Sequence, residues 1–342
     1  MALDWTPLLS TLDQHQRFTI TSHQRPDADA IGSAVALAGL LQRMGKLTRI
    51  IMPSEAPKYL KWLDAGQQLL KIGEQVSHEE ALDTSCHIVV DTSAWAQLGE
   101  VGPVLRETTA EKIVIDHHLS SDDLGATEYK DTTASAAGVL VAELYRAADM
   151  QPTEEQAMAL FCAIATDTGW FRFSSVEPRT LRVAADLVEA GARPSRIYRQ
   201  LYERSSMARL KLQSRVLDRI TLSADGRLAH SWVLRSDIDE VNAQQADTEG
   251  FVNQLLSLEG VDAAFLTVEQ IDGRAKFSLR SQPGFEVASV AERFGGGGHA
   301  QACGVMIDGP ATEAIETVRE AVAGHLTSGD AVMETDKKTD RS

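Results

Sequence analysis

The sequence predicts an α/β chain: a parallel-sheet domain, a helical connector and a smaller α/β second domain. Three observations carry this. Short apolar runs rich in β-branched residues, RFTITS (17–22), TRIIM (48–52), HIVVD (87–91) and KIVID (112–116), are separated by helical patterns, the order of a parallel sheet. From residue 133 to about 219 the pattern is helical throughout. A new set of strand-like runs then begins near residue 227. A length of 342 residues suits two such domains, one large domain being the alternative.

Residues 4–16 read as a short leading helix. RFTITS then feeds HQRPDADAIGS (23–33). AIGSAVALAGLLQRMG follows, with Ile31, Val35, Leu37, Leu40, Leu41 and Met44 at helical spacing and Gly45 as its stop. ASAAGVLVAELYRAADM and TEEQAMALFCAIATDT are two more helices. Thr153 is a candidate N-cap for the second, with Glu154 and Glu155 in its first turn. PRTLRVAADLVEAG opens with Pro178 near N1 and closes at Gly191. The segment 193–219 holds eight Arg and Lys against Glu203 and Asp218. It reads as connector helices with a solvated basic face, in preference to a nucleic-acid groove. RLAHSWVL, AAFLTVEQ, AKFSLRS and QACGVMI read as strands. TEGFVNQLLSLE, VASVAERF and ATEAIETVREAVAGHL read as helices. The expected divisions are a first domain over 1–192, a connector over 193–226, a second domain over 227–327 and a polar, disordered tail over 328–342.

The composition narrows the function classes. At 43% hydrophobic and 24% charged, the chain is an ordinary globular protein. A net charge of −16 argues against a coater of long duplex DNA, which gains affinity by releasing counterions from a basic face. Local metal ions and a few arginines can still make a nucleotide site on an acidic protein. Cys86, Cys162 and Cys303 are too sparse for a disulfide framework or a zinc spacing, and they fit a reducing cytoplasm. No signal peptide is expected, because no basic segment precedes an apolar core at the N-terminus. The apolar run AMALFCAIA (157–165) is too short to span a bilayer.

Four stretches carry chemistry. HQRPDADAIGS offers His23, Asp27 and Asp29 at a strand–helix junction. It also reads as a polar loop in which Asp27 or Asp29 caps the helix, and the two roles are compatible. VVDTSAWAQLG offers Asp91 at the end of an apolar strand, where a carboxylate is costly to bury unless paired or metal-bound. VIDHHLSS offers Asp116, His117 and His118 at another strand end. IATDTGWFRFSS offers Asp167 at the end of a helix that is apolar nearly all round. Any one of these reads as an ordinary polar loop. Together, with three of them at strand ends that share one crevice in an open α/β sheet, they indicate a binuclear divalent-metal site. Asp91, central in order and isolated, is the natural bridging ligand. Carboxylates with imidazole suit manganese, with magnesium or cobalt as alternatives.

This order of motifs resembles the DHH phosphoesterase family. SLRSQPGFEVASVAERFGGGGHAQACG (278–304) resembles the associated DHHA1 domain. FRFSS after Asp167 and the chain length resemble the small bacterial members of the nanoRNA hydrolase and 3′-phosphoadenosine-5′-phosphate phosphatase type. The resemblance covers nearly all of residues 10–325. It implies one metal on His23, Asp27 and Asp91, and the other on Asp29, Asp91, His117 and Asp167. It implies that His118 faces the substrate phosphate and that Asp116 orients the histidine pair, a direct metal contact being left open. Ala28 stands where members often have glycine, and Cys303 where a small residue is common. Thr132–Ser135 resembles a stretch near the site, with no chemistry assigned. Arg280, Gly295, Gly296, Gly297, Gly298 and His299 are implied to hold the nucleotide end of the substrate. Glycine permits close backbone approach to a phosphate, and arginine grips it with a planar fork.

The implied activity is hydrolysis of short oligoribonucleotides to 5′-mononucleotides, with a hydroxide shared by two manganese ions as nucleophile. 3′-Phosphoadenosine-5′-phosphate is a second expected substrate. The second domain is expected to act as a ruler that favours short substrates. The alternatives are a linear or cyclic dinucleotide phosphodiesterase, an inorganic pyrophosphatase and a non-enzymatic nucleotide sensor. No membrane partner is expected, and a homodimer is left open.

Overall fold

The computed structural model describes residues 3–339, and the chain divides into two compact units between Arg204 and Ser205.

The first unit is built on six parallel strands: β1 Arg17–Thr21, β2 Leu47–Met52, β3 Leu69–Lys71, β4 Cys86–Val90, β5 Glu111–Asp116 and β6 Thr127–Lys130. Their order is β3-β2-β1-β4-β5-β6, with every neighbouring pair parallel. The order reverses between β1 and β4. In such sheets the crevice for ligands opens at that switch point, beyond the carboxyl ends of the strands. The loops after β1 and β4 therefore emerge side by side, and the loop after β5 is next to them.

Helices cover the sheet: α1 Thr6–Gln14, α2 Ala28–Arg43, α3 His78–Leu82, α4 Val101–Glu107, α5 Ala137–Ala147, α6 Glu154–Asp167, α7 Pro178–Glu189 and α8 Pro194–Tyr202. Residues 28–34 and 36–41 of α2 and residues 157–165 of α6 are all buried, so these two helices have almost no polar face. They pack so closely that a Cβ on Gly32 would lie 2.4 Å from the Ala159 carbonyl oxygen. Glycine is required there by contact rather than by backbone conformation. Thr153 caps α6 through a capping box with Gln156, and Pro178 opens α7, both as the sequence indicates.

The second unit carries β7 Thr221–Ser223, β8 Leu228–Val233, β9 Ala263–Glu269, β10 Ala275–Ser281, β11 Gly297–His299 and β12 Ala302–Ile307. Their order is β11-β12-β10-β9-β8-β7, antiparallel except for β8 with β9. Its helices are α9 Met207–Asp218, α10 Arg235–Glu240, α11 Phe251–Leu256, α12 Ala288–Glu292 and α13 Ala311–Thr339. One core includes Phe265, Phe277, Val318 and Val322; a second includes Leu212, Val216, Phe251 and Leu266.

Two sequence expectations differ from the structure. The connector over 193–226 is not a separate element. Ile197 of α8 is in the core of the first unit, and Leu212 and Val216 of α9 are in a core of the second. Each helix has an apolar stripe that needs a partner, and each finds it in a different unit. The stretch expected as a disordered tail continues α13 as far as Thr339, since Ala, Met, Glu and Lys are good helix formers; residues 340–342 lie outside the described residues. Part of the glycine run is strand. Gly297 and Gly298 are strand residues paired with Gly304 and Cys303. A Cβ on Gly298 would lie 2.6 Å from the Ala302 carbonyl oxygen.

Candidate metal centre

The loop after β1 turns directly into α2. The Asp27 carboxylate accepts from the backbone N–H groups of Asp29 and Ala30 (both 3.0 Å), so Asp27 is the N-cap. Its Oδ1 is also 3.8 Å from Nε2 of His23. Nδ1 of His23 faces the Gln24 carbonyl oxygen at 3.0 Å. A carbonyl only accepts, so Nδ1 carries a proton and, once the ring is neutral, Nε2 presents its lone pair. That Nε2 is 3.4 Å from Asp91 Oδ2.

Asp29, 1% exposed, faces the other way. Its carboxylate accepts from the N–H groups of Ala137 (2.7 Å) and Gly138 (2.8 Å) and from the Ser33 hydroxyl (3.0 Å). A carboxylate from α2 thus satisfies the open N-terminus of α5, whose own N-cap residue Ala136 has no side chain to do so. Gly138 leaves the room: a Cβ there would lie 2.9 Å from Ala163 Cβ and 3.3 Å from Asp29 Oδ1.

Asp91 follows β4 with φ of 61°, a left-handed conformation that side-chain-bearing residues rarely adopt. It is 2% exposed and central. His117, after β5, places Nε2 3.3 Å from Asp91 Oδ1, 3.6 Å from Asp167 Oδ2 and 3.7 Å from Asp29 Oδ2. Its Nδ1 faces the Ala134 carbonyl oxygen at 3.3 Å, so Nδ1 carries a proton and, once the ring is neutral, Nε2 turns a lone pair inward. The ligand-type atoms form three groups: His23 with Asp27 and Asp91, Asp29 with His117 and Asp167, and Asp91 with His117 and His118.

Asp116 is turned away from these groups. Oδ1 accepts from the backbone N–H of His117 (2.8 Å) and from Nδ1 of His118 (2.8 Å), and Oδ2 from the Ser93 hydroxyl (2.6 Å). Burial raises its pKa, but the hydrogen bonds from His118 and Ser93 outweigh it and keep the carboxylate ionised. The same Asp116 bond raises the pKa of His118.

The cluster is electrostatically incomplete as protein alone. Four carboxylates, Asp27, Asp29, Asp91 and Asp167, converge on two inward imidazoles. Burial raises Asp29 well above the usual carboxylate range, with Asp91 and Asp167 adding to it. Burial likewise pushes Asp167 up to about 6. Burial opposes charging of His117, yet Asp91, Asp29 and Asp167 outweigh it and hold the imidazole well above its ordinary range. Asp91 Oδ1 and His117 Nε2 are both buried without a hydrogen-bond partner. Unsatisfied buried atoms cost about 1–3 kcal/mol each, and cations among them remove that cost. The donor set therefore fits divalent metal ions.

The sequence motifs missed several supporting residues. Ser33, Ser93 and Lys130 touch the carboxylates. The stretch 131–138 gives its Ala134 carbonyl to His117 and its Ala137 and Gly138 N–H groups to Asp29. Arg179 of α7 anchors that stretch, bonding Asp131 (2.5 Å) and both oxygens of Glu143 (2.6 Å each). No spacing signal points to Arg179, because the contact spans 48 residues. Thr132–Ser135, to which the sequence assigns no chemistry, supplies the Ala134 carbonyl from its backbone, and Ser135 bonds Thr180.

The substrate-binding candidates belong to the second unit. Register pairs Arg280 with Ala302, and Ala302 with His299, so these three share one row across the sheet. Arg280 is half-buried and bonds the Leu279 carbonyl (2.8 Å), and among the described residues no carboxylate pairs with it.

Residues 17–166 match the DHH family, N-terminal domain, and residues 225–327 match the DHHA1 domain. The chain is a two-domain DHH–DHHA1 protein. It is 28% identical over 309 residues to the bifunctional oligoribonuclease and PAP phosphatase NrnA of Thermus thermophilus, covering 90% of each chain. It is 26% identical to the enzyme of the same name from Bacillus subtilis, covering 88% of this chain and 93% of that one. Among solved structures, an exopolyphosphatase-related protein from Bacteroides fragilis superposes with a TM-score of 0.89 at 26% identity, over 95% of this chain and 96% of that one. The DHH family is hydrolytic and acts on phosphoester bonds. Among the described residues, no helix is long and apolar enough to cross a membrane.

Proposed function

We propose that this protein is a manganese-dependent phosphodiesterase that hydrolyses short oligoribonucleotides to 5′-mononucleotides, with 3′-phosphoadenosine-5′-phosphate as a second substrate. The observation that carries the reading is the meeting of His23, Asp27, Asp29, Asp91, His117 and Asp167 around two unsatisfied buried atoms. The similarity to the NrnA proteins, over nearly the full length of both, supports the substrate class. Mixed carboxylate and imidazole donors favour manganese over magnesium.

His23, Asp27 and Asp91 would hold one ion, and Asp29, Asp91, His117 and Asp167 the other. Bound there, two such ions activate water and neutralise charge on the phosphate oxygens. The remaining chemistry is the protein's own. Asp116 fixes His118 with Nδ1–H inward, leaving Nε2 for the substrate. Charged, His118 donates from Nε2 to a phosphate oxygen or to the departing ribose oxygen. Arg280, half-buried and with no carboxylate partner among the described residues, is assigned to a substrate phosphate, and the Gly295–Gly298 and His299 segment to its nucleotide end. A cytoplasmic location accords with three buried, unpaired cysteines.

A substrate panel with manganese tests the reading: pApA, 3′-phosphoadenosine-5′-phosphate, cyclic di-AMP and pyrophosphate. Turnover of the first two to mononucleotides is expected. Pyrophosphate turnover with none on pApA would replace the reading with a pyrophosphatase. Preference for cyclic di-AMP would make it a cyclic dinucleotide phosphodiesterase. Nucleotide binding that survives Asp91→Ala, with no turnover by the wild type on any metal, would make it a sensor.

A further inference from the structure

Lys130 is the last residue of the edge strand β6 and belongs to none of the four metal-loop motifs. Its side chain is 13% exposed, unusual for lysine at a sheet edge. Its ammonium donates to the Ser93 hydroxyl oxygen (3.1 Å) and to the Ser120 carbonyl (2.8 Å), and lies 3.8 Å from Asp116 Oδ2. The Ser93 hydroxyl is thereby turned to donate to Asp116 Oδ2 at 2.6 Å. The other oxygen of Asp116 receives Nδ1 of His118. A chain of contacts thus runs from Lys130 through Ser93 and Asp116 to His118.

Asp116 is 0% exposed, so its charge needs a nearby cation. Among the described residues, Lys130 is the Lys or Arg that pairs with it, on the side opposite His118. The ammonium does two things at once. It offsets the buried carboxylate, and it occupies the Ser93 lone pair so that the hydroxyl hydrogen points to Asp116. Without it, the hydroxyl is free to turn to the Ser120 carbonyl alone (3.1 Å), and Asp116 loses both a donor and a counter-charge.

We infer that Lys130 is a positioning residue for the phosphodiester reaction: acting through Ser93 and Asp116, it holds His118 with Nε2 available to the substrate. This rests on the function proposed above. Among the described residues, the polar partners of Lys130 are Ser93, Ser120 and Asp116 and none of the candidate metal-binding side chains, so its effect falls on turnover rather than on ion binding.

The experiment compares Lys130→Met, Lys130→Arg, Ser93→Ala and the Ser93→Ala/Lys130→Met double variant, all manganese-loaded, on pApA. Lys130→Met should lower kcat about tenfold with KM within about twofold, the scale seen when groups behind an active-site residue are removed. Lys130→Arg should recover most of the loss. The double variant should be no worse than Lys130→Met, because both changes break one chain. A kcat for Lys130→Met within twofold of wild type, or a loss that Lys130→Arg does not recover, would overturn the inference. If Lys130→Met does not fold, Ser93→Ala decides, and a kcat within twofold overturns it. Ring-nitrogen NMR of His118 is independent of substrate. Wild type should show the Nδ1 proton held in its hydrogen bond to Asp116 and slow to exchange, and Lys130→Met a faster-exchanging proton; the same exchange in both would overturn the inference. A wild type inactive on the whole panel, with these NMR differences intact, would count against the proposed function alone.

Discussion

Asp91 Oδ1 and His117 Nε2 face each other across 3.3 Å, both buried, and neither completes a hydrogen bond. Each belongs to two groups able to hold a metal ion, and Asp91 faces His23 through one oxygen and His117 through the other. Loss of its charge therefore weakens both positions. Asp91→Asn is expected to reduce bound manganese from two per chain toward none at concentrations that saturate the wild type. Equilibrium dialysis reads this directly. Turnover should fall at least about a hundredfold, in line with losing bound-metal chemistry. One ion retained would assign Asp91 to a single position.

Gly138 is the second point of leverage. Alanine there meets Ala163 Cβ at 2.9 Å and presses on Asp29. Gly138→Ala should destabilise the first unit by about 1–3 kcal/mol, the range for overpacking, and weaken manganese binding in the same variant. Urea denaturation with and without manganese separates the two effects. A fully stable variant with unchanged affinity would show that the loop has room to move.

Arg179 holds the stretch 131–138 by bonds to Asp131 and Glu143, all three largely buried. Arg179→Met should cost about 2 kcal/mol by leaving two carboxylates unpaired. It should also weaken manganese binding, since that stretch positions both His117 and Asp29. A stability loss with manganese affinity unchanged would confine Arg179 to a structural role.

His87 gives a pH prediction. It lies in the middle of the sheet on β4, 0% exposed, with neither ring nitrogen hydrogen-bonded. Burial, with Arg49 and Lys112 nearby, pulls its pKa down to about 4 from an ordinary 6.5. The folded state thus stays neutral while the unfolded chain takes up a proton. Stability from this site is complete above pH 6.5 and is lost as pH falls toward 4. The wild type should lose on the order of 3 kcal/mol more across that window than His87→Leu. Urea midpoints at pH 5 and pH 7.5 check the difference; parallel slopes for the two proteins would contradict it.

Much of this was legible in the sequence because the chemistry is local. Strand ends carry the ligands, so Asp91, Asp116 and His117 could be read from short apolar runs ending in polar residues. Asp27 as a cap and Thr153 with its capping box follow rules that span three residues. The rest depended on contacts without sequence spacing. Arg179 reaches Asp131, Lys130 reaches Ser93, and the Asp29 carboxylate caps a helix that begins 108 residues later. The short edge strands β3, β6, β7 and β11 also lacked a signal, being three or four residues long and partly polar. The glycine run was read as a backbone built for close approach. That property holds, but part of it serves strand pairing with Gly304 and Cys303.

The most direct test is a comparison of pApA with RNA of about 24 nucleotides at equal concentrations of ends, with manganese present. Faster conversion of pApA to 5′-mononucleotide is expected from a two-metal phosphodiesterase with a short substrate site. Faster degradation of the long RNA, or no mononucleotide from either, would contradict the account.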